Sequence, residues 1–216
     1  MAKTTAPLLS FDGSGQVAKT LVYSRWKGVP YTRKYVVPAN PNTLAQQEVR
    51  KLFALLREMW KIAPVGLSEP WNAFAVGRPF TGMNKWVGEN VRVLKGLTSF
   101  AGAIISPGAR GGLPPQSVVI NAGAAGVIDV DVTGPIQMPQ GWSIHSVTAV
   151  AFPDQDPAGF FTGAISTVTD NVAPYELQFT GLESTNDYAV AAYIRYTKPD
   201  GSAAYSVATA TIHAAG

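Results

Sequence analysis

Residues 21–61 read LVYSRWKGVPYTRKYVVPANPNTLAQQEVRKLFALLREMWK, and the rest of the chain is organised around this stretch. Its first part mixes β-branched, aromatic and basic side chains, which predicts strands over residues 16–26 and 29–37 with a turn at Lys27 and Gly28. Its prolines keep residues 38–42 extended, because a residue before proline avoids the helical region. Its last part repeats apolar residues every three or four positions, which predicts an amphipathic helix.

Capping signals indicate where helices begin. Thr43 is placed to cap the first helix, and Gln46 three residues later completes a capping box. Ser68 and Thr81 are the expected caps of a second and a third helix. The first helix carries one apolar stripe that must be buried, formed by Val49, Leu52, Phe53, Leu56, Met59 and Trp60.

The composition is that of a globular protein with few charges. Charged residues make up 14% of the chain, against about 25% in typical soluble domains. This deficit indicates a surface that is partly covered in an assembly. Residues 1–110 hold 15 Lys and Arg and 5 Asp and Glu, a net charge of +10, whereas residues 111–216 hold 2 and 9, a net charge of −7. We therefore expect the two halves either to face different surroundings or to attract the opposite halves of neighbouring copies.

Several classes of protein do not fit the sequence. The chain has no cysteine, so it has neither a disulfide framework nor a thiolate metal site. Its N-terminus lacks the apolar run of a signal peptide, and no stretch reaches the roughly 18–20 apolar residues of a membrane helix. We expect a protein that is not exported by the general route and does not bind a membrane.

The second half is typical of a β-sandwich. Residues 106–116 are rich in proline and glycine and predict a linker between domains at residues 1–105 and 117–216. Seven short strands in about 100 residues are the signature of a sandwich. The predicted strands are residues 117–121, 126–133, 143–152, 163–169, 175–180, 188–196 and 203–213.

One corner of this predicted sandwich resembles fibronectin type III modules. Leu182 precedes Tyr188 by six positions, as in the tyrosine corner of such modules, where the tyrosine hydroxyl bonds back to the backbone. Trp142 is the candidate for the tryptophan of these modules. The predicted fold is therefore an α+β N-terminal domain, with a β-hairpin and two or three helices, followed by an all-β immunoglobulin-like sandwich.

The candidate binding surface is the basic, aromatic hairpin. Its proposed partner-binding residues are Tyr23, Arg25, Trp26, Lys27, Tyr31, Arg33, Lys34 and Tyr35. Basic and aromatic residues interleaved on a sheet can hold phosphates and stack on bases, so nucleic acid is one possible partner. The alternative is that the aromatic rings are core and that the basic groups are solvated or reach a protein partner.

The sequence offers no pattern for catalysis or for a cofactor. Asp129 with Asp131, and Asp154 with Asp156, are paired carboxylates, but each pair is too short a run of ligands for an EF-hand calcium site. We interpret them as solvated. The two histidines, His145 and His213, both fall on predicted strands and form no zinc cluster. The expectation is a non-enzyme without metal or cofactor.

The hairpin and the helices after it resemble a family of small virion proteins of tailed bacteriophages. The matching positions are Tyr23, Arg25, Trp26, Lys27, Gly28, Tyr31, Arg33, Pro38, Asn40, Pro41, Thr43, Gln46, Gln47, Trp71, Asn72 and Phe74, and the match spans residues 14–95. The resemblance implies a virion component present in many copies, assembled in the host cytoplasm. Its partners would be the major capsid protein or other virion proteins, with a homo-oligomer in the particle.

Three functions remain open at this point. A capsid decoration or cement protein would clasp capsid subunits with its basic half and display the acidic sandwich, and we favour it because a basic half suits acidic seams between subunits. A tail or head–tail connecting protein would form rings through the same elements. A DNA-binding protein would use the basic half on phosphates, with an affinity that falls steeply as salt is raised.

Overall fold

A computed structural model of the protein describes residues 3–4, 13–26, 29–37 and 39–215. Contacts within the chain divide it into two compact units, Met1–Asn42 and Thr43–Gly216. The N-terminal unit contains a small sheet, and the main unit contains three helices and two further sheets. None of these three helices combines the length and the apolarity that crossing a membrane requires.

The N-terminal unit is a four-stranded antiparallel sheet. Its strands follow the chain in order: β1 (Lys3–Thr4), β2 (Gly13–Val17), β3 (Leu21–Trp26) and β4 (Val29–Lys34). The predicted strand over residues 16–26 is wrong in one respect, because a turn interrupts it. Ala18 and Lys19 have φ of 45° and 54°, and the Thr20 N–H donates to the Val17 carbonyl oxygen at 2.9 Å. The predicted hairpin, formed by β3 and β4, therefore follows a hairpin formed by β2 and β3.

Helix α1 (Leu44–Ile62) begins and ends where the sequence predicts. The Thr43 hydroxyl oxygen accepts from the Gln46 N–H at 3.4 Å. The helix ends before Pro64, and its C-cap residue, Ala63, has extended backbone. The buried stripe is narrower than predicted, since Phe53 is 53% exposed. The buried positions of the helix are Leu52, Leu55, Leu56 and Met59.

Helix α3 (Gly82–Leu94) also has its predicted cap, since the Thr81 hydroxyl oxygen accepts from the Asn84 N–H at 3.2 Å. Helix α2 (Val65–Ala75) differs from the prediction because it begins three residues before Ser68. Proline favours extended backbone and can precede a helix, and Pro64 takes the N-cap position with φ of −66° and ψ of 163°. Ser68 lies inside the helix, where its hydroxyl donates to the Val65 carbonyl oxygen.

The remaining strands form two antiparallel sheets. They are β5 (Ile104–Ala109), β6 (Ser117–Ala122), β7 (Ile128–Thr133), β8 (Ser143–Pro153), β9 (Ser166–Asp170), β10 (Tyr175–Phe179), β11 (Asp187–Thr197), β12 (Ala203–Thr209) and β13 (Thr211–Ala214). The small sheet has the order β10-β7-β6, and the large sheet has the order β5-β12-β11-β8-β9 with β13 also paired to β11. The seven predicted strands are confirmed, except that the last one is split into β12 and β13.

The two sheets pack face to face as a β-sandwich. Side chains from both inner faces form one core, which contains Ile128, Val130, Val132, Val147, Val190 and Ile194. The Tyr188 hydroxyl accepts a hydrogen bond from the Glu183 N–H at 2.9 Å, so the predicted tyrosine corner is present. Trp142 lies at the margin of this core, partly buried, with its ring 5.9 Å from that of Tyr196.

The outer face of the large sheet is covered by the helices. A second core joins the two layers, and it includes Leu56, Met59, Trp71, Trp86, Val150, Phe152, Tyr193 and Tyr205. The central strands β8 and β11 are therefore buried on both faces, which is why their sequences are nearly continuous apolar runs.

The observed division of the chain differs from the predicted one at residues 106–116. Four of these residues belong to β5, in which Ser106 pairs with Ala208 and Pro107 with Val207. Proline and glycine suggested a linker, but proline is also tolerated in edge strands, and β5 is an edge strand. The helices and the sandwich consequently share a core and form one unit, while the hairpin belongs to the other unit.

Candidate functional site: the basic hairpin surface

Strands β3 and β4 position most of the predicted partner-binding residues. In their register Tyr23 pairs with Thr32, Ser24 with Tyr31, Val22 with Arg33 and Leu21 with Lys34. Residues directly opposite each other in an antiparallel pair share a face.

Tyr23 and Lys34 are therefore on one face, and Tyr31 and Arg33 are on the other. The structure does not bring the predicted residues together on a single surface. Of these four residues, each face carries one aromatic and one basic residue.

The hairpin is open to its surroundings. Tyr31, Arg33 and Lys34 are exposed, whereas Tyr23 and Tyr35 are partly buried. None of the residues whose side chains are described between positions 15 and 42 falls in the buried class. A sheet of this size normally needs an apolar face covered by another layer to be stable. The described side chains of the N-terminal unit provide no such buried face.

Three of the predicted residues, Arg25, Trp26 and Lys27, are described only by their backbone or not at all. Arg25 pairs with Pro30 and Trp26 pairs with Val29 in the backbone register. Lys27 lies outside the described residues.

The paired carboxylates serve local structure. Asp129 accepts from the Gln178 side-chain amide at 2.8 Å, and Asp156 accepts from the Ala158 N–H at 2.8 Å. The interpretation of Asp154 as solvated is wrong. Asp154 is partly buried and accepts from the Phe100 N–H at 2.6 Å, and its burial raises the pKa of the carboxyl group even though that hydrogen bond lowers it.

The two histidines lie on strands, as predicted. His213 pairs with Tyr188 near the start of β11, whereas His145 lies beside the end of β11. His213 on β13 places its Nε2 2.8 Å from the Thr211 hydroxyl oxygen, and burial lowers the pKa of its imidazole. Ser146 pairs with Arg195, but the next pair on β8 is Ile144 with Tyr196, so His145 is an extra residue in a β-bulge.

A polar cleft where α2 meets the large sheet was not predicted. Its volume is about 450 Å³, and its lining includes Glu69, His145, Thr148 and Arg195. Glu69 Oε1 accepts from the Tyr205 hydroxyl at 2.8 Å and lies 3.5 Å from the Arg195 guanidinium. Burial and the neighbouring Glu69 raise the pKa of Tyr205 to about 12. These contacts tie α2 to β11 and β12, and no local sequence signal could reveal them, because the partners are more than a hundred residues apart.

Among the described residues, no group of three or more His, Asp or Glu side chains is placed to hold a metal ion. The exposed strands of the hairpin are the candidate functional surface.

Comparisons with known proteins concern mainly the fold. No protein family model matches the chain, and no curated protein matches it. The chain is similar to the fn3 domain of the human collagen alpha-1(XX) chain, with 17% identity and a TM-score of 0.35, over 50% of this chain and 90% of that one. It is also similar to the structure of a myokine, with 10% identity and a TM-score of 0.34, over 48% of this chain and 96% of that one.

Proposed function

We propose that the protein is a structural component of a bacteriophage virion, in which it acts as a capsid decoration or cement protein. The N-terminal unit attaches it to major capsid subunits, and the sandwich is displayed. The observation that supports this proposal is the hairpin sheet, in which Tyr31, Arg33 and Lys34 are exposed and no described side chain from position 15 to 42 is buried.

A small sheet becomes stable when a second layer buries one face, and a strand at its edge can pair with a strand of another protein. Strand β4 is the last strand of this sheet. A partner protein can thus supply both a covering layer and a neighbouring strand, a recognised mode of docking for extended segments. The resemblance to phage virion proteins over residues 14–95 names the class of partner.

Charge also favours attachment through the N-terminal unit. Residues 1–42 contain six Lys and Arg and one Asp, and Arg33 and Lys34 are exposed. Acidic seams between capsid subunits would attract this unit and would leave the acidic sandwich facing solvent. The same elements could form a ring in a tail or a head–tail connector, which is the second placement within the virion.

Two measurements test the proposal. Mass spectrometry of purified particles should find the protein in many copies, and a count that matches the capsid subunits favours decoration over a tail ring. Full-length protein added to particles that lack it should bind, and the double variant Tyr31→Ala with Arg33→Gln should bind much less. The control variant Val76→Ala with Arg92→Gln changes an exposed apolar and an exposed basic residue on the main unit and should bind normally.

A DNA-binding function is the second candidate, because Lys19, Arg33 and Lys34 are exposed basic residues in the strands and turns of the same small sheet that carries the exposed Tyr31. Affinity for duplex DNA should then fall steeply with increasing salt. Particle attachment that persists at high salt, together with weak binding to DNA, would exclude this candidate. Absence of the protein from purified particles would overturn the proposed virion role.

A further inference from the structure

The loop between β8 and β9 presents a phenylalanine to solvent. Phe160 is 93% exposed, the highest value among the large apolar side chains that the structure describes. An isolated exposed leucine or valine is ordinary on a protein surface. A fully exposed aromatic ring is costly in water, and aromatic anchors dominate many interfaces.

The backbone around Phe160 is held in place by hydrogen bonds. The Gln155 side chain donates to the Phe160 carbonyl oxygen at 2.8 Å and accepts from the Thr162 N–H and hydroxyl, both at 3.1 Å. Asp156 accepts from the Ala158 N–H through its side chain and from the Gly159 N–H through its backbone. Because the loop is already ordered, little conformational entropy is lost when the ring binds a partner.

The same loop is fixed to the body of the protein on its inner side. Pro157 is buried, and Phe161 packs against the core shared by the helices and the large sheet. The two adjacent phenylalanines therefore have opposite roles, since Phe161 anchors the loop and Phe160 points away from it.

A small cavity lies beside this loop. Its volume is about 200 Å³, and it is lined by Val49, Leu52, Leu94, Leu97 and the loop residues 156–158, with Glu48 and Lys95 among its polar residues. An apolar cavity of about 150 Å³ is large enough to bind benzene. The cavity can therefore accept the ring of a phenylalanine.

The Phe160 ring and the cavity are neighbours on one surface. Phe160 follows Ala158, which lines the cavity, by two residues, a span of at most about 7 Å. A surface that carries both a projecting ring and a cavity of matching size is complementary to itself. Two copies related by a two-fold axis can then exchange rings, each into the cavity of the other.

Charge at this surface is also compatible with self-pairing. The cavity residues include Lys95 together with Glu48 and Asp156, so acidic and basic groups line the same cavity. A two-fold contact can bring unlike charges together and avoid a confrontation of like charges. We infer that the protein forms a reciprocal dimer in which Phe160 of each copy occupies the cavity between α1, the end of α3 and the β8–β9 loop of the other.

The inference is tested with full-length protein by sedimentation equilibrium over a range of concentrations. The wild type should form dimers, and Phe160→Ser should weaken dimerisation at least about a hundredfold, since two anchors are lost. Ile136→Ser, which removes an apolar side chain that is 80% exposed on another loop, is the matched control and should dimerise as the wild type does.

A mixing experiment tests whether the Phe160 ring of one copy binds in the cavity of the other. Thr98 is exposed and lines the cavity, so Thr98→Trp should block it and give a monomer. A mixture of Thr98→Trp and Phe160→Ser should form heterodimers, because it retains one intact ring and one intact cavity. Their affinity should lie between those of the wild type and Phe160→Ser.

Three results would overturn the inference. A wild type that stays monomeric at its highest soluble concentration assigns the loop to another occupant. Dimers that persist in Phe160→Ser place the interface elsewhere. A mixture that stays monomeric shows that the ring of one copy does not enter the cavity of another. Far-ultraviolet circular dichroism and thermal melts on each variant confirm that it is folded.

Discussion

The indole nitrogen of Trp71 donates a hydrogen bond to the carbonyl oxygen of Ile105 at 2.7 Å. Trp71 is on α2 and fully buried, and Ile105 is on β5 at the edge of the large sheet. This bond links the helical layer to β5, a strand whose last four residues lie in the predicted linker. It adds to the shared core through which the helices and the sandwich form one unit.

Replacing Trp71 by Phe should lower the free energy of unfolding by at least about 1–3 kcal/mol, because the buried carbonyl oxygen of Ile105 loses its donor. Urea unfolding of the full-length protein measures the change. Trp60→Phe is the comparison, since Trp60 is only partly buried and should cost less. An equal loss in both variants would show that ring volume, and not the hydrogen bond, is responsible.

Truncation should separate the chain at residue 43 and not at residue 105. A fragment of residues 43–216 retains both cores and should unfold cooperatively close to the temperature of the full chain. A fragment of residues 1–105 loses the sheet against which its helices pack, so it should show no cooperative transition. Thermal melts followed by circular dichroism test this, and a cooperative 1–105 fragment would contradict the shared core.

The tyrosine corner should contribute measurably to stability. Tyr188→Phe leaves the Glu183 N–H without its partner and should lower the free energy of unfolding by about 1–3 kcal/mol. The dependence of unfolding on urea concentration should keep its slope, since the buried area is unchanged. Tyr31→Phe removes a hydroxyl from an exposed residue and should change stability by less than about 0.5 kcal/mol.

Two glycines of α3 should respond to alanine in opposite directions. A Cβ on Gly82 would lie 2.9 Å from backbone atoms of Trp71 and Asn72, so Gly82→Ala should destabilise by about 1–3 kcal/mol. A Cβ on Gly88 would meet no atom within 4 Å, so Gly88→Ala should stabilise by about 0.5–1 kcal/mol through helix propensity. Both values come from chemical denaturation, and a stabilising Gly82→Ala would contradict the close packing of α2 on α3.

Asp154 should make stability depend on pH in an unusual direction. Burial raises the pKa of its carboxyl group in the folded protein, so the folded state holds this proton more tightly than the unfolded state. Its contribution to stability is then present at low pH and is lost as the pH rises through the folded pKa. Asp154→Asn can still accept from the Phe100 N–H and has no charge to bury.

The difference in unfolding free energy between Asp154→Asn and the wild type should therefore grow in favour of the variant as the pH rises from acidic values, and then level off. Urea titrations at a series of pH values measure it. A difference that shrinks with rising pH would mean that the Phe100 hydrogen bond outweighs the burial.

Local features of the fold could be predicted because they depend on neighbouring residues. The caps at Thr43 and Thr81 need only a hydroxyl and the next turn of backbone, and the tyrosine corner depends on a fixed interval between Leu182 and Tyr188. The sandwich strands are likewise visible as short β-rich runs between turns. Each of these signals is complete within about ten residues.

Features that depend on distant residues could not be predicted. Strand β5 contains Pro107 and Gly108, and only its pairing with β12, about a hundred residues later, makes it a strand. In the candidate site, the pairing of Ser24 with Tyr31 is local and follows from the predicted turn at Lys27 and Gly28. The sequence does not show, however, that no described side chain from position 15 to 42 is buried. Likewise, two successive phenylalanines do not show which one is exposed, and the contact of Phe161 with the core shared by the helices and the large sheet decides it.

The irregularity of β5 has a consequence for contacts between copies of the protein. Exposed sheet edges invite edge-to-edge aggregation, because they present continuous rows of unpaired N–H and carbonyl groups. On β5 this row is interrupted, since Pro107 has no N–H and Gly108 turns the backbone to a φ of 67°. The edge strand that closes the large sheet beside β12 is thus a poor template for further strands.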